Sequence, residues 1–248
     1  MKIEIAKPGV KFEASHTMYP STLEVFGPGF YVLGVEHQSQ YGYVLEGTCS
    51  VRSERDDITA MLREGGYFAL PGQVHIRIES GLLVLFTRYG YRAMCNIGKV
   101  EKKGRLSYID GCSDSMLVQP ARQGDPVLNH LHFPEDIVQT QHTHPSIRMG
   151  VVSGGRGQVW RAATGNNVGW MRPLNKGHVF LLDEQEIHSF RTDERVLGYC
   201  SDGEPTSDPP STMDVIAFHP DSDWGPTDQN HPMLNRTYIG TLPSARGA

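Results

Sequence analysis

The 248-residue sequence has no run of about 18 consecutive apolar residues, so no membrane-spanning helix is expected. The opening stretch, MKIEIAKPGVKFEAS, lacks the apolar core of a signal peptide. Cysteine is sparse: Cys49, Cys95, Cys112 and Cys200 lie far apart and form no CxxC pair, which excludes a disulfide framework and suits free thiols in a reducing cytoplasm. Positive charge is in deficit, with 23 Lys and Arg against 28 Asp and Glu and a net charge of -5. That balance gives no electrostatic reason to expect nucleic acid or an anionic membrane as partner. The densest basic run, KVEKK at 99–103, reads as a solvated loop. Helical amphipathic windows longer than about ten residues are also missing.

Turn residues are plentiful, with 27 glycines and 16 prolines. They punctuate the chain at intervals of roughly 8–12 residues and enclose short runs rich in Val, Ile, Leu, Phe and Tyr, the rhythm of an all-β sandwich or barrel. One block of such runs spans 30–36, 41–52, 58–62, 67–70, 74–78 and 82–88. A second spans 127–133, 148–153, 157–162, 168–172, 179–182, 187–191 and 196–200.

The blocks match when overlaid. GYVLEGTCSV (42–51) answers GVVSGGRGQV (150–159), and EGGYFALPGQVHIRI (64–78) answers NKGHVFLLDEQEIHSF (175–190). A spacing of about 110 residues implies a duplicated domain. The division expected is a first barrel over 1–90, a packed crossover over 91–125, a second barrel over 126–220 including a last strand at 213–219, and an ordered strap over 221–248.

The stretch richest in chemistry is QTQHTHPSIRMGVVSGGRGQV, 139–159. On a strand, His142 and His144 would share one face. His188 follows 44 residues after His144 on a run able to pack beside them. Three converging imidazoles hold a transition metal and leave positions open for water, oxygen or substrate. Gly154, Gly155 and Gly157 read as a strand-to-strand turn rather than a phosphate loop.

These residues resemble the cupin superfamily, whose first motif runs G-x5-H-x-H-x3/4-E-x6-G. HTHPSIRMGVVSGG is similar to it, while FALPGQVH in the first half keeps a Pro-Gly and a following His close to the family's second motif. The resemblance spans roughly 25–90 and 125–220. It implies two tandem cupin β-sandwich barrels, a bicupin, with His142, His144 and His188 as metal ligands. The family's usual acidic or amide fourth ligand falls on Arg148, which carries a fixed positive charge and cannot bind a cation. Two readings stand for Arg148: a guanidinium that holds a substrate anion and serves catalysis, or one that turns away to pair with Glu184 or Glu186.

Overlaying the halves places Gly34, Glu36, Gln40 and His75 where the second half has His142, His144, Arg148 and His188, with His37 nearby. Glu36, Gln40 and His75 would make a weak site at best, so the first barrel is expected to be a metal-free scaffold. His130 and His132 share a strand face and either line the second pocket as substrate contacts or lie on the surface. In the tail, His231, Asn235, Arg236 and Thr237 either close over the site, with Arg236 touching substrate, or pack between domains.

An all-imidazole set suits Fe, Ni, Cu or Zn and argues against Mg and Ca. One divalent transition metal is expected, Fe(II) first, with Mn, Ni or Zn open. Similarity to three-histidine ring-cleaving dioxygenases implies a cytoplasmic oxygenase acting on a small anionic molecule. The alternatives are non-redox chemistry resembling ureidoglycine aminohydrolase, or a non-catalytic cupin that binds a small molecule. A homodimer is expected, with EIAKPGVKFEAS covering an edge strand.

Overall fold

The computed structural model describes residues 1–122, 124–163, 168–193, 195–199 and 205–221. The chain opens with β1 (Lys2–Ile5). The strands β2 (Lys11–Ala14), β3 (Ser21–Phe26), β4 (Gly29–Leu33), β5 (Gln38–Ser53), β6 (Ile58–Arg63), β7 (Gly66–Pro71), β8 (Val74–Tyr89) and β9 (Asn96–Lys99) follow and form one eight-stranded sheet. Next come β10 (Leu106–Ser107), β11 (Ser113–Val118), β12 (Val127–Phe133), β13 (Arg148–Arg161), β14 (Trp170–Asn175), β15 (His178–Leu182), β16 (Ser189–Arg191), a hairpin of β17 (Arg195–Tyr199) and β18 (Pro205–Asp208), and β19 (Met213–His219). All the described strand pairs are antiparallel. No helix among the described residues is long and apolar enough to cross a membrane.

Long bent strands make each sheet a two-layered barrel. β5 pairs with β7 through residues 39–43 and with β6 through 48–53, so it passes from one layer to the other. Gly47 sits at the bend with φ +77°, and a Cβ there would lie 2.1 Å from the Ser80 carbonyl oxygen. β13 repeats the device. It pairs with β15 and β19 through 148–155, then with β14 and β16 through 156–161, and Gly155 bends it at φ +65°. The glycine cluster is thus a bulge inside a strand, fixed by close backbone approach.

The same register recurs inside the two barrels. Gly42 pairs with Phe68, whose ring occupies the space of a Cβ at Gly42, and Gly150 pairs with Phe180 in the same way. Each phenylalanine fills the middle of its barrel because the facing residue has no side chain. One apolar core lies inside the first barrel around Phe68, Leu70 and Ile76, and another inside the second around Phe133, Val159 and Phe190. A third joins the barrels, bringing Tyr41 and Phe86 against Phe218, with ring centroids 5.0 and 5.3 Å apart.

The segment boundaries differ from the sequence reading at both ends of the first barrel. β1 does not join that barrel; it pairs with β15 and covers an edge of the second sheet of its own chain. Within 91–125, β9 extends the first sheet beside β7, whereas β10 and β11 extend the second beside β12. These short strands escape a periodicity search because SDSMLV and NIGK show no clean alternation of apolar and polar residues. Of the strap, only Asp221 lies within the described residues.

Candidate metal centre

His142 and His144 precede β13 and stand in loop and bridge conformation, not on a regular strand as the sequence suggested. An isolated backbone bridge replaces the strand: His142 N donates to His188 O at 3.0 Å and His188 N returns to His142 O at 3.1 Å. His144 is held from the other side, its carbonyl accepting Gln185 N at 2.8 Å. One nitrogen from each of the three imidazoles falls within 4.8 Å of the other two, the spacing of ligands around a single ion. Ring centroids lie 4.6 to 5.2 Å apart.

Two of the rings are oriented by the backbone. His142 Nδ1 lies 2.8 Å from Thr140 O, and His188 Nδ1 lies 2.9 Å from Glu186 O. A carbonyl oxygen only accepts, so each Nδ1 carries the proton. In the neutral ring, Nε2 then keeps its lone pair, the form a metal requires. His188 is 2% exposed. Burial, and then the neighbouring His142 and His144, hold its imidazole well below the ordinary 6.5, so it is neutral at pH 7. Donor type, spacing and tautomer therefore all fit a transition metal.

The pocket around the histidines is small, with a cavity volume of about 30 Å³ and Leu131, Phe180, Leu182 and Phe190 among its apolar walls. Arg148 points into it from the first residue of β13, buried to 3% exposure. Its Nη1 donates to Ser146 Oγ at 2.6 Å, Ile147 O at 2.9 Å and Ser146 O at 3.1 Å, and lies 3.8 Å from Asp221 Oδ1. Ser146 Oγ itself donates to Asp221. Glu186 pairs instead with the Met1 amino group, and Glu184 is exposed. The guanidinium is thus part of the pocket wall, braced by the turn that leads into β13.

Three lining residues went unnoticed in the sequence: Tyr108, Gln139 and His219. The His219 ring lies 6.2 Å from that of His144 at the end of β19. No motif spacing singled it out, since a lone histidine ending a strand carries no signal. Gln139 is 2% exposed, and its Oε1 accepts Phe190 N at 3.3 Å.

The structure corrects the role given to His130 and His132. Side chains alternate along β12, and it is Leu131 between them that faces the pocket. His130 and His132 point to the opposite face, beside the core shared by the barrels, where His130 Nε2 (3.0 Å) and His132 Nδ1 (2.8 Å) both donate to Asp214 Oδ1. Burial pushes the Asp214 carboxyl up, but these two hydrogen bonds and the histidine charges outweigh it, leaving the group below the usual carboxylate value. The trio brackets β12 to β19 and does not line the metal pocket. Arg236, with His231, Asn235 and Thr237, lies outside the described residues.

His75 is likewise reassigned. Arg52 pairs with His75 and Val51 with Ile76, while Trp160 pairs with Ser189 and Val159 with Phe190. By that register the equivalent of His188 is Val74, which is fully buried inside the first barrel. His75 faces outward beside Phe30, its ring 6.1 Å away. A one-residue slip moves a side chain to the other face of a sheet.

No family model matches the sequence, and no curated protein is similar to it. Solved structures do resemble it. Protein Ylba from E. coli, of family DUF861, is 17% identical with a TM-score of 0.57, covering 84% of this chain and 81% of its own. The cupin 2 conserved barrel domain protein from Leptotrichia buccalis is 13% identical, with a TM-score of 0.54 and coverage of 87% and 98%. The Mn(II)-containing oxalate decarboxylase from Bacillus subtilis is 11% identical, with a TM-score of 0.50 and coverage of 88% and 74%. At such identities the likeness shows the fold, and this chain has the all-β cupin fold.

Proposed function

We propose that this protein is a metal-dependent enzyme that holds one divalent metal through His142, His144 and His188 and acts on a small carboxylate, with oxygenase chemistry as the first reading. The observation that carries it is the pair of Nδ1–H···O=C bonds from His142 and His188, which leave Nε2 of each ring to face the three-imidazole cluster as the metal-binding nitrogen. Such brackets around ligand histidines set tautomer and ring direction before the ion arrives. When bound, the metal supplies open coordination positions, for dioxygen beside substrate in an oxygenase or for a polarised oxygen in non-redox chemistry.

The chain's own residues define what enters. Three neutral imidazoles leave the ion its full charge, so the pocket favours an anion, and the Arg148 guanidinium, 3.8 Å from Asp221, stands in the wall beside it. Its apolar walls and narrow space admit only a very small body behind that anion. Phe180 and Phe190 keep water from the inner side of the histidines, and the braced Arg148 orients a carboxylate. Iron is the first choice of metal.

A second reading, lyase or hydrolase chemistry without oxygen, is favoured by the resemblance to a manganese oxalate decarboxylase. Oxygen uptake by the metal-loaded protein, measured against a panel of small carboxylates, separates the two. The first reading expects oxygen consumed in step with substrate. Turnover that continues unchanged under argon supports the second, and no turnover with any carboxylate leaves a metal-binding protein without catalysis.

A further inference from the structure

A second recess lies at the seam between the two sheets and shares no lining residue with the metal pocket. Its cavity volume is about 330 Å³. One wall comes from the first sheet, through Tyr41 on β5 and Asn96 on β9; the other comes from the second, through Met116, Leu117 and Val118 on β11. Asn96 Nδ2 ties the walls together by donating to Leu117 O at 3.2 Å. The volume lies in the range of pockets that hold small organic molecules, roughly 300–1,000 Å³.

The chemistry of the lining is specific in what it omits: among the described residues, no Asp, Glu, Lys, Arg or His contributes to it. Two charged groups stand behind the lining. Arg88 Nε donates to Pro220 O at 3.0 Å, and Asp125 accepts from Arg122 and from the Tyr91 hydroxyl. The polar atoms that remain are the Tyr41 and Tyr91 hydroxyls, the Asn96 and Gln119 amides and the Cys95 thiol. Burial, and for Tyr91 and Cys95 also the neighbouring carboxylates Asp125 and Asp56 to which they donate, raise these groups, so all three are neutral; the Tyr91 and Cys95 side chains keep only an acceptor toward the recess. Tyr41 is 1% exposed, its ring packed on Phe218 in the core that joins the barrels.

From this lining we infer that the seam recess is a binding site for a small, uncharged aromatic molecule bearing one hydroxyl or carbonyl group. A charged ligand would lose its hydration against side chains that return no counter-charge. Flat apolar rings suit the Met116, Leu117 and Pro126 surfaces, and methionine sulfur packs well against aromatic edges. The tyrosine hydroxyls supply the polar end. Met94, 69% exposed at the rim, is an unbranched side chain able to fold over an occupant. Because the two walls belong to different sheets, the occupant binds both barrels at once and stabilises their association.

The test uses the full chain and the neutral fluorescent probe N-phenyl-1-naphthylamine. Saturable binding at about one probe per chain is expected, displaced by 2-naphthol but not by the equally sized anion 2-naphthoate. His144→Ala, which alters only the metal pocket, should leave the affinity unchanged. Met116→Trp fills the recess and should weaken the probe at least about tenfold; Gln119→Trp, on the exposed rim, serves the same purpose if Met116→Trp does not fold. Tyr41→Phe should weaken 2-naphthol by about three- to tenfold, as loss of one hydrogen bond implies. Non-saturable binding, equal displacement by 2-naphthoate, loss of the probe with His144→Ala, or indifference to a folded Trp variant would each overturn the inference.

Discussion

His188 and Arg148 show how single residues set this pocket's properties. His188 is buried, and its imidazole is held low by desolvation and by two neighbouring histidines. Its folded-state value lies below that of the unfolded chain. The stability it permits is therefore complete above about 6.5 and is lost as pH falls below that, because only the unfolded chain gains the proton freely. In chelator-treated protein the melting temperature should decline from pH 6.5 downward, and His188→Gln should flatten that slope. Metal affinity should fall over the same range, since protonated imidazoles bind no cation. In the proposed function Arg148 acts on substrate, not on the ion. Arg148→Ala should keep its metal while the binding of a small carboxylate, measured by calorimetry, weakens by roughly 30- to 1,000-fold, about 2–4 kcal/mol for a charge-assisted pair in a partly dry pocket. Unchanged carboxylate affinity would make the residue purely structural. The HxH pair and the arginine were legible because each is a chemically distinct side chain at a recognisable spacing. His219 was not, since only the path of β19 brings it to the pocket.

At the scale of elements, the long bent strands explain both what the sequence revealed and what it hid. β5 and β13 were readable as paired repeats because Gly47 and Gly155 mark the same bend and Gly42 and Gly150 the same contact with a phenylalanine. The barrels diverge after that. β8 runs unbroken for 16 residues, whereas its counterpart in the second barrel is split into β16 and β19 by the insertion that carries β17 and β18. That split blurred the alignment around His75, and the pairing of Val51 with Ile76 settles the register. The bracket at Asp214 belongs to this scale as well, joining β12 to β19 behind the pocket. Asp214→Ala leaves two buried imidazole N–H groups without their acceptor and should cost about 2–3 kcal/mol in urea unfolding, with metal stoichiometry intact. Removing residues 1–6 strips β1 from β15 and exposes an edge, so the shortened protein should melt lower and associate as concentration rises. Equal melting temperatures and an unchanged mass in light scattering would show that β1 contributes nothing there.

At the scale of the molecule, two barrels of one design share a core through Tyr41, Phe86 and Phe218 while their interiors differ. The first is filled by Phe68 and its apolar neighbours, with Val74 where the second has His188. The second opens into a small pocket of about 30 Å³ in which three imidazoles meet beside a buried guanidinium. Composition announced the all-β class and internal repetition announced the two halves, but the seam between them depends on β9, β10 and β11, whose sequences carry no pattern of their own. The central claim, one metal held by three histidines of the second barrel, is tested most directly by elemental analysis after loading and dialysis at pH 7.5. The account predicts about one transition-metal ion per chain in the wild type and essentially none in folded His144→Ala. An equal metal content in the two proteins would contradict it.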